Sequence, residues 1–335
     1  MKKIKYIIIL LILSFSLMSC SFQNEDEDIK ITYENRTTDD FVIPESDNPD
    51  GYKITYIGNN DYVYYSTSTK EGKAINPGSP YKICADFLGW YKDKDCTELY
   101  NFNQTVRSDL TLYAGWEIDT IKLTNEIYNS TIKANVLVTS KGYKSTTMSQ
   151  GSGTIFFDDG TYYYILTNNH VVYGEDYRLM QYTIYDCYNN GYEAKFVSAS
   201  ADYDLSILKF YKSLVPNDKN LNVLDICQFD LEKNDICISM GNPEGLINTI
   251  SIGFVEKIAM YSAEKSTAYL NNISFDVVYN SAYIKQGSSG GALLDSNLKI
   301  AGIQFASAVN LQNEYVRSYA VPATKITEYV KSVFN

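Results

Sequence analysis

Gln286-Gly287-Ser288-Ser289-Gly290-Gly291 sets a pair of serines among three glycines, the densest glycine cluster in the chain. Glycine lets the backbone turn tightly enough for the N–H groups of Gly287 and Ser289 to converge on one point, an arrangement suited to an oxyanion. Ser289 places a hydroxyl beside that point. A hydroxyl is a poor nucleophile until a base takes its proton, and imidazole does so near neutral pH. The chain holds a single histidine, His170, in Leu166-Thr-Asn-Asn-His170-Val-Val. Asp202-Tyr-Asp204-Leu-Ser-Ile-Leu lies between the two, with Asp204 34 residues after the histidine and 85 before Ser289. A carboxylate there fixes the imidazole tautomer and offsets the positive charge that proton transfer creates. A lone aspartate or a lone core histidine is commonplace. The three pieces in this order are not.

His–Asp–Ser is the chain order of the chymotrypsin-type hydrolases, distinct from the orders used on unrelated folds. Further stretches extend the likeness: Gly151-Ser-Gly153-Thr-Ile, Ile165-Leu-Thr-Asn-Asn-His-Val-Val, Met240-Gly-Asn-Pro-Glu-Gly245, Ile250-Ser-Ile-Gly253 and Tyr319-Ala-Val-Pro322. Residues 151–322 thereby resemble the HtrA-type trypsin-like serine proteases. The resemblance implies a mostly β fold, a chymotrypsin-like double β-barrel of two six-stranded barrels. The triad would lie between them, His170 and Asp204 from the first barrel and Ser289 from the second. Asp204 is preferred to Asp202 because the family's acid stands directly before an apolar run, here Leu205-Ser-Ile-Leu.

By the same resemblance the expected activity is that of a serine endopeptidase, a hydrolase forming an acyl-enzyme on Ser289. Its partner would be a protein or peptide substrate, its cosubstrate water, and no metal or organic cofactor is implied. An esterase is a lesser alternative. The rival reading from another class is an adhesion or scaffold protein with an inactive protease-like domain, although all three triad positions are present. Ser288 stands where zymogen-activated relatives carry an aspartate, so activation by clipping is not expected. Thirteen residues follow Pro322, so control through an appended PDZ domain is not expected either. Tyr283, six residues before Ser289, and Ile284 are expected in the substrate pocket, with Phe305 and Ser307 forming its wall. None is charged, and a buried cation without a partner costs several kcal/mol, on the order of that for other unpaired charges. Cleavage is therefore expected after uncharged, small to medium apolar residues.

Around this domain the composition is that of a globular protein, with 45% hydrophobic and 21% charged residues. Thirty-one tyrosines against 14 phenylalanines and 2 tryptophans suit half-buried sheet faces. Strand-like runs such as Tyr162–Leu166 and Ile300–Phe305 are bounded by Gly, Asn or Asp. Ile326, Tyr329, Val330, Val333 and Phe334 recur at helical spacing after Pro322, so a C-terminal helix closes residues 119–335. A net charge of −11 argues against a nucleic-acid partner. One histidine excludes any site built on two or more imidazoles.

Upstream, residues 51–118 alternate Tyr, Ile and Val runs with turn chemistry at Asn59-Asn60, Asn76-Pro77-Gly78 and Ser79-Pro80. Phe87-Leu-Gly-Trp-Tyr-Lys-Asp, Tyr100-Asn-Phe102 and Leu110-Thr-Leu-Tyr-Ala-Gly-Trp116 resemble an internalin-type B repeat, which implies a β-grasp-like unit common on bacterial surface proteins. Residues 20–50 carry ten Asp or Glu against Lys30 and Arg36 and read as an extended acidic tether. Residues 1–19 place Lys2, Lys3 and Lys5 before a thirteen-residue apolar run, too short to span a bilayer, which is the pattern of a signal peptide. The run ends Leu17-Met18-Ser19-Cys20, resembling a lipobox. This implies lipidation of Cys20 and a membrane partner through an N-terminal lipid anchor, with the folded domains on the outer face of the bacterial membrane. Cys84, Cys96, Cys187, Cys227 and Cys237 remain, an odd number with no C-x-x-C, so no disulfide framework or oligomeric state is readable.

Overall fold

The structure is a computed structural model that describes residues 51–335, apart from residues 59–62, 71, 143–144, 146–147, 175–176, 262–271, 313 and 335. The leader, Cys20 and the acidic tether lie outside the described residues. The first unit builds a sheet from β1 (Tyr52–Ile57), β2 (Val63–Thr69), β4 (Ala85–Tyr91) and β6 (Leu110–Ile118), ordered β2-β1-β6-β4. β3 (Gly72–Lys73) and β5 (Thr105–Val106) pair beside it. β1 and β6 run parallel at the centre, and the outer pairs are antiparallel. Alternation buries Ile54 and Tyr56 of β1 with Trp90 and Leu112, and the Tyr56 ring meets Trp90 edge-on at 5.0 Å.

After α1 (Thr120–Asn129) come the strands of the first closed barrel: β7 (Asn135–Gly142), β8 (Met148–Asp158), β9 (Tyr162–Thr167), β10 (Met180–Tyr185), β11 (Gly191–Ser200) and β12 (Leu205–Tyr211). A one-turn helix, α2 (Asn169–Val172), follows β9. The second closed barrel consists of β13 (Ile236–Gly241), β14 (Thr249–Met260), β15 (Asp276–Asn280), β16 (Ala292–Leu294), β17 (Ile300–Val309) and β18 (Tyr315–Pro322). α3 (Ala323–Phe334) ends the described chain. Two six-stranded barrels and a C-terminal helix are the architecture expected from the sequence.

Period-two alternation explains how the barrels adhere. On β9, Tyr163 and Ile165 point into the first barrel, while Tyr164 and Leu166 join the larger core shared with the second. β12 divides likewise, Leu208 and Phe210 inward, Leu205 and Ile207 outward. α3 leaves the last strand of the second barrel and sets Phe334 against Phe157 and Tyr164 of the first, at ring separations of 5.9 and 5.4 Å. The helix thus straps the two barrels together.

α1 was not expected. Asp119 caps it, accepting the N–H groups of Ile121 and Lys122, and Leu123 and Ile127, one turn apart, enter the shared core. Two apolar positions make a stripe too short to register as helical periodicity. The repeat is also seated on the peptide chain that follows it. Ile83, Cys84 and Ile118 pack against the shared core, Lys94 pairs with Glu232 at 2.8 Å, and the Asp119 N–H donates to Cys84 O.

Candidate active site

β9 ends at Thr167, and the chain turns through Asn168 into α2, which carries His170. β12 pairs antiparallel with β9 in a register that sets Ser206 opposite Thr167. Extending that register two residues brings Asp204 alongside the start of α2. His170 Nδ1 lies 2.7 Å from Asp204 Oδ2, and the His170 backbone N–H donates to Oδ1 at 3.0 Å. The Asn168 side-chain amide donates to the Asp204 carbonyl at 2.9 Å. Asp204 is wholly buried and its φ is +50°, a left-handed conformation that costs on the order of 1–3 kcal/mol for a non-glycine residue. These three hydrogen bonds hold it there. Asp202 is exposed and makes none of these contacts.

Tyr261, within electrostatic reach of Asp204, belongs to an aromatic cluster. Tyr261 meets Phe305 and Tyr319 edge-on at 5.1 and 5.2 Å. Burial, helped by Tyr319, Tyr279 and the charge of Asp204, pushes the Tyr261 phenol up to about 12. A phenol so placed stays neutral beside the carboxylate.

Ser289 lies in the loop between β15 and β16. Its carbonyl accepts the Ser152 N–H at 2.7 Å, and its hydroxyl donates to Phe305 O at 3.4 Å. Among the described residues, no hydrogen bond joins the His170 ring to that hydroxyl. The loop's N–H groups divide into two sets. Those of Ser288, Gly290 and Gly291 donate to Lys285 O, Gln304 O and Ser288 O. Those of Gly287 and Ser289 meet no protein acceptor among the described residues. Gly287 has φ of +96°, and a Cβ there would lie 2.9 Å from Asn242 O and 3.0 Å from Glu244 N. Glycine is required by both conformation and space.

Residues 151–303 match the trypsin-like peptidase domain family, and residues 52–115 match the Listeria-Bacteroides repeat domain. The chain carries a trypsin-like peptidase domain. It is 28% identical over 184 residues to a probable periplasmic serine protease, do/HhoA-like, of Haemophilus influenzae, covering 55% of this chain and 36% of that protein. It is 28% identical over 186 residues to the periplasmic serine endoprotease DegP of Escherichia coli, with the same coverages of 55% and 36%. The serine protease Do-like HtrA of Bacillus subtilis is 28% identical over 191 residues, 56% of this chain and 40% of that protein. The chain therefore spans well under half the length of these relatives. Among solved structures, the active form of the Rv3671c protease from M. tuberculosis shares the fold at TM-score 0.53 and 22% identity, covering 64% of this chain and 87% of that one.

The four residues expected to line a substrate pocket in the peptidase domain are divided. Tyr283 is 47% exposed, with its ring 4.7 Å from that of Tyr315. Together with Ile284, Lys285 and Ser288 it borders a cavity of about 190 Å³ that reaches Ile250 and Ser251 and includes neither Phe305 nor Ser307. Phe305 is buried in the aromatic cluster and Ser307 is exposed. The cause is a β-bulge: the register of β17 against β18 shifts between Gln304 and Ala306, which breaks the alternation that would set Phe305 and Ser307 on one face. Sequence reasoning cited Gly151-Ser-Gly153 only as part of the family likeness and gave Ser152 no role. That buried hydroxyl donates to Gly287 O at 2.7 Å and accepts from the Asn242 N–H at 2.8 Å. In the sequence Ser152 is one of several polar residues of β8, set between two glycines with nothing to distinguish it.

Proposed function

We propose that this chain is a serine endopeptidase of the cell envelope that cleaves peptide bonds through an acyl-enzyme on Ser289. The observation that carries the reading is the His170–Asp204 pair, an imidazole held through Nδ1 and its own backbone N–H by one buried carboxylate. That pairing leaves Nε2 as the basic nitrogen. The Ser289 hydroxyl turns from Phe305 O toward it, a change in keeping with the loose catalytic hydrogen bonds usual without substrate. As Oγ attacks the scissile carbonyl, its proton passes to Nε2 and the carbonyl electrons move to oxygen. The Gly287 and Ser289 N–H groups receive that oxyanion, and Asp204 offsets the imidazolium charge. His170 then gives the proton to the leaving amine, and water releases the acyl group by the same path.

The location follows from the basic–apolar leader and Cys20, and the relatives described as periplasmic agree with export. A fluorophosphonate probe should label the wild-type protein and not Ser289→Ala; absence of labelling in both defeats the reading. An alkyne fatty acid should mark the wild type and not Cys20→Ala, and equal labelling defeats the anchor. Peptide-library profiling should show uncharged apolar residues before the cut, and dominance of Arg or Lys there refutes the specificity.

A further inference from the structure

We infer that Ser152 is a positioning residue that sets the oxyanion-binding geometry of the second barrel from a strand of the first. The inference rests on the proposed hydrolase reading. Ser152 lies in β8 and is fully buried. Its N–H donates to Ser289 O at 2.7 Å, and its hydroxyl donates to Gly287 O at 2.7 Å. These carbonyls belong to the Gly287–Ser288 and Ser289–Gly290 peptides, so one residue holds the two planes that flank the Ser288–Ser289 peptide, the one that carries the Ser289 N–H. The hydroxyl has one proton to give and gives it to Gly287 O, while its lone pairs take the Asn242 N–H at 2.8 Å. The Ser152 carbonyl is fixed in turn by the Thr167 hydroxyl at 2.7 Å.

A second clamp acts from the opposite side. The Glu244 N–H donates to Gln286 O at 2.8 Å. In a trans peptide the C=O and the following N–H point in opposite directions, so tying Gln286 O to Glu244 turns the Gly287 N–H away from that segment. Asn242 anchors the segment to the first barrel, donating from its amide to Val136 O at 2.7 Å and accepting from Asn135 at 2.9 Å. Ser152 therefore connects the nucleophile's turn, the Asn242–Glu244 segment and the seam between barrels. It does not touch substrate. Its effect is to keep the Gly287 and Ser289 N–H groups convergent, which matters most when the oxyanion carries its full charge.

The test compares wild type, Ser152→Ala and Ser152→Cys on a peptide substrate, with active sites counted by fluorophosphonate titration. Ser152→Ala should lower kcat by roughly 10- to 1,000-fold, reaching at most the loss of about 100- to 1,000-fold for removal of an oxyanion donor itself, with KM within about threefold. Binding of a peptide aldehyde, which forms the tetrahedral adduct, should weaken by a similar factor. Ser152→Cys preserves the volume with a weaker donor and should fall between the two. If Ser152→Ala does not fold, the Cys variant decides. A variant that loses thermal stability while its titrated sites keep wild-type kcat and aldehyde affinity overturns the inference. A wild type that neither labels nor cleaves overturns the hydrolase reading and this inference with it.

Discussion

Asp204→Asn tests the centre of the mechanism, because the substitution preserves shape and changes which atoms can accept. In the native site both carboxylate oxygens accept, Oδ1 from the His170 backbone N–H and Oδ2 from Nδ1. An asparagine has one oxygen for two donors. If that oxygen keeps the backbone N–H, the amide NH₂ faces Nδ1, which must then accept and place the ring proton on Nε2. The base is lost. If the amide turns over, the tautomer is correct but NH₂ confronts a backbone N–H in a wholly buried site. An unpaired buried donor costs about 1–3 kcal/mol, so this productive rotamer is a minority by roughly 5- to 150-fold. Loss of the charge facing the imidazolium comes on top. Together they should lower kcat by about 10⁴, equivalent to about 5 kcal/mol in the barrier. The assay is kcat on a peptide substrate, with circular dichroism to establish that the variant is folded. A folded Asp204→Asn enzyme within tenfold of wild type refutes the pairing as the catalytic one.

Gly290 has φ of +87°, and a Cβ there would lie 2.1 Å from Ser152 O and 2.3 Å from Thr167 Oγ1. Gly290→Ala should lower unfolding free energy by more than about 3 kcal/mol in denaturant titration, and a loss below about 1 kcal/mol would show that the loop relaxes freely. Burial pushes the Cys237 thiol from 9.0 up to about 12. Raised above its unfolded value, this thiol contributes stability that is complete below about pH 9 and is lost as pH climbs toward 12. Urea midpoints should therefore fall across that alkaline window, less steeply in Cys237→Ala.

How much of this was legible beforehand follows the physics of each signal. The strands were legible as apolar runs bounded by turn residues, and Tyr162–Leu166 becomes β9 with Tyr163 and Ile165 on one face, Tyr164 and Leu166 on the other; their closure into two barrels was legible only through the family resemblance. The C-terminal helix was legible because four of its buried residues, Ile326, Tyr329, Val330 and Phe334, keep helical spacing. His170, Asp204 and Ser289 stood out by chemistry and order. α1 escaped because a cap and two apolar residues are a weak pattern. The different settings of Phe305 and Ser307 were not legible because a bulge in β17 is a matter of register, which pairing with β18 decides and composition does not. The repeat's seating on the shared core escaped for the same reason, since Ile83 and Ile118 look like any sheet residues until the other surface is in place.

The division between the barrels explains why the pairing of His170 with Asp204 was readable and the bonds around Ser289 were not. His170 and Asp204 belong to one barrel and to neighbouring strand ends, so their contact follows from a single register, that of β9 with β12. Local order carries it, and local sequence reveals it. Ser289 belongs to the other barrel, yet its turn is held by Ser152, 137 residues earlier in the sequence, and through Asn242 by Asn135. No local pattern encodes such bonds, because each partner is an ordinary polar residue whose meaning exists only across the seam. The seam is closed by the apolar faces of β9 and β12 and by Phe334 of α3. The geometry around Ser289 is therefore a product of barrel-to-barrel packing. On the proposed reading His170 is held within its own barrel, whereas the Ser289 turn and its alignment with the imidazole depend on the hydrogen bonds that cross between the barrels.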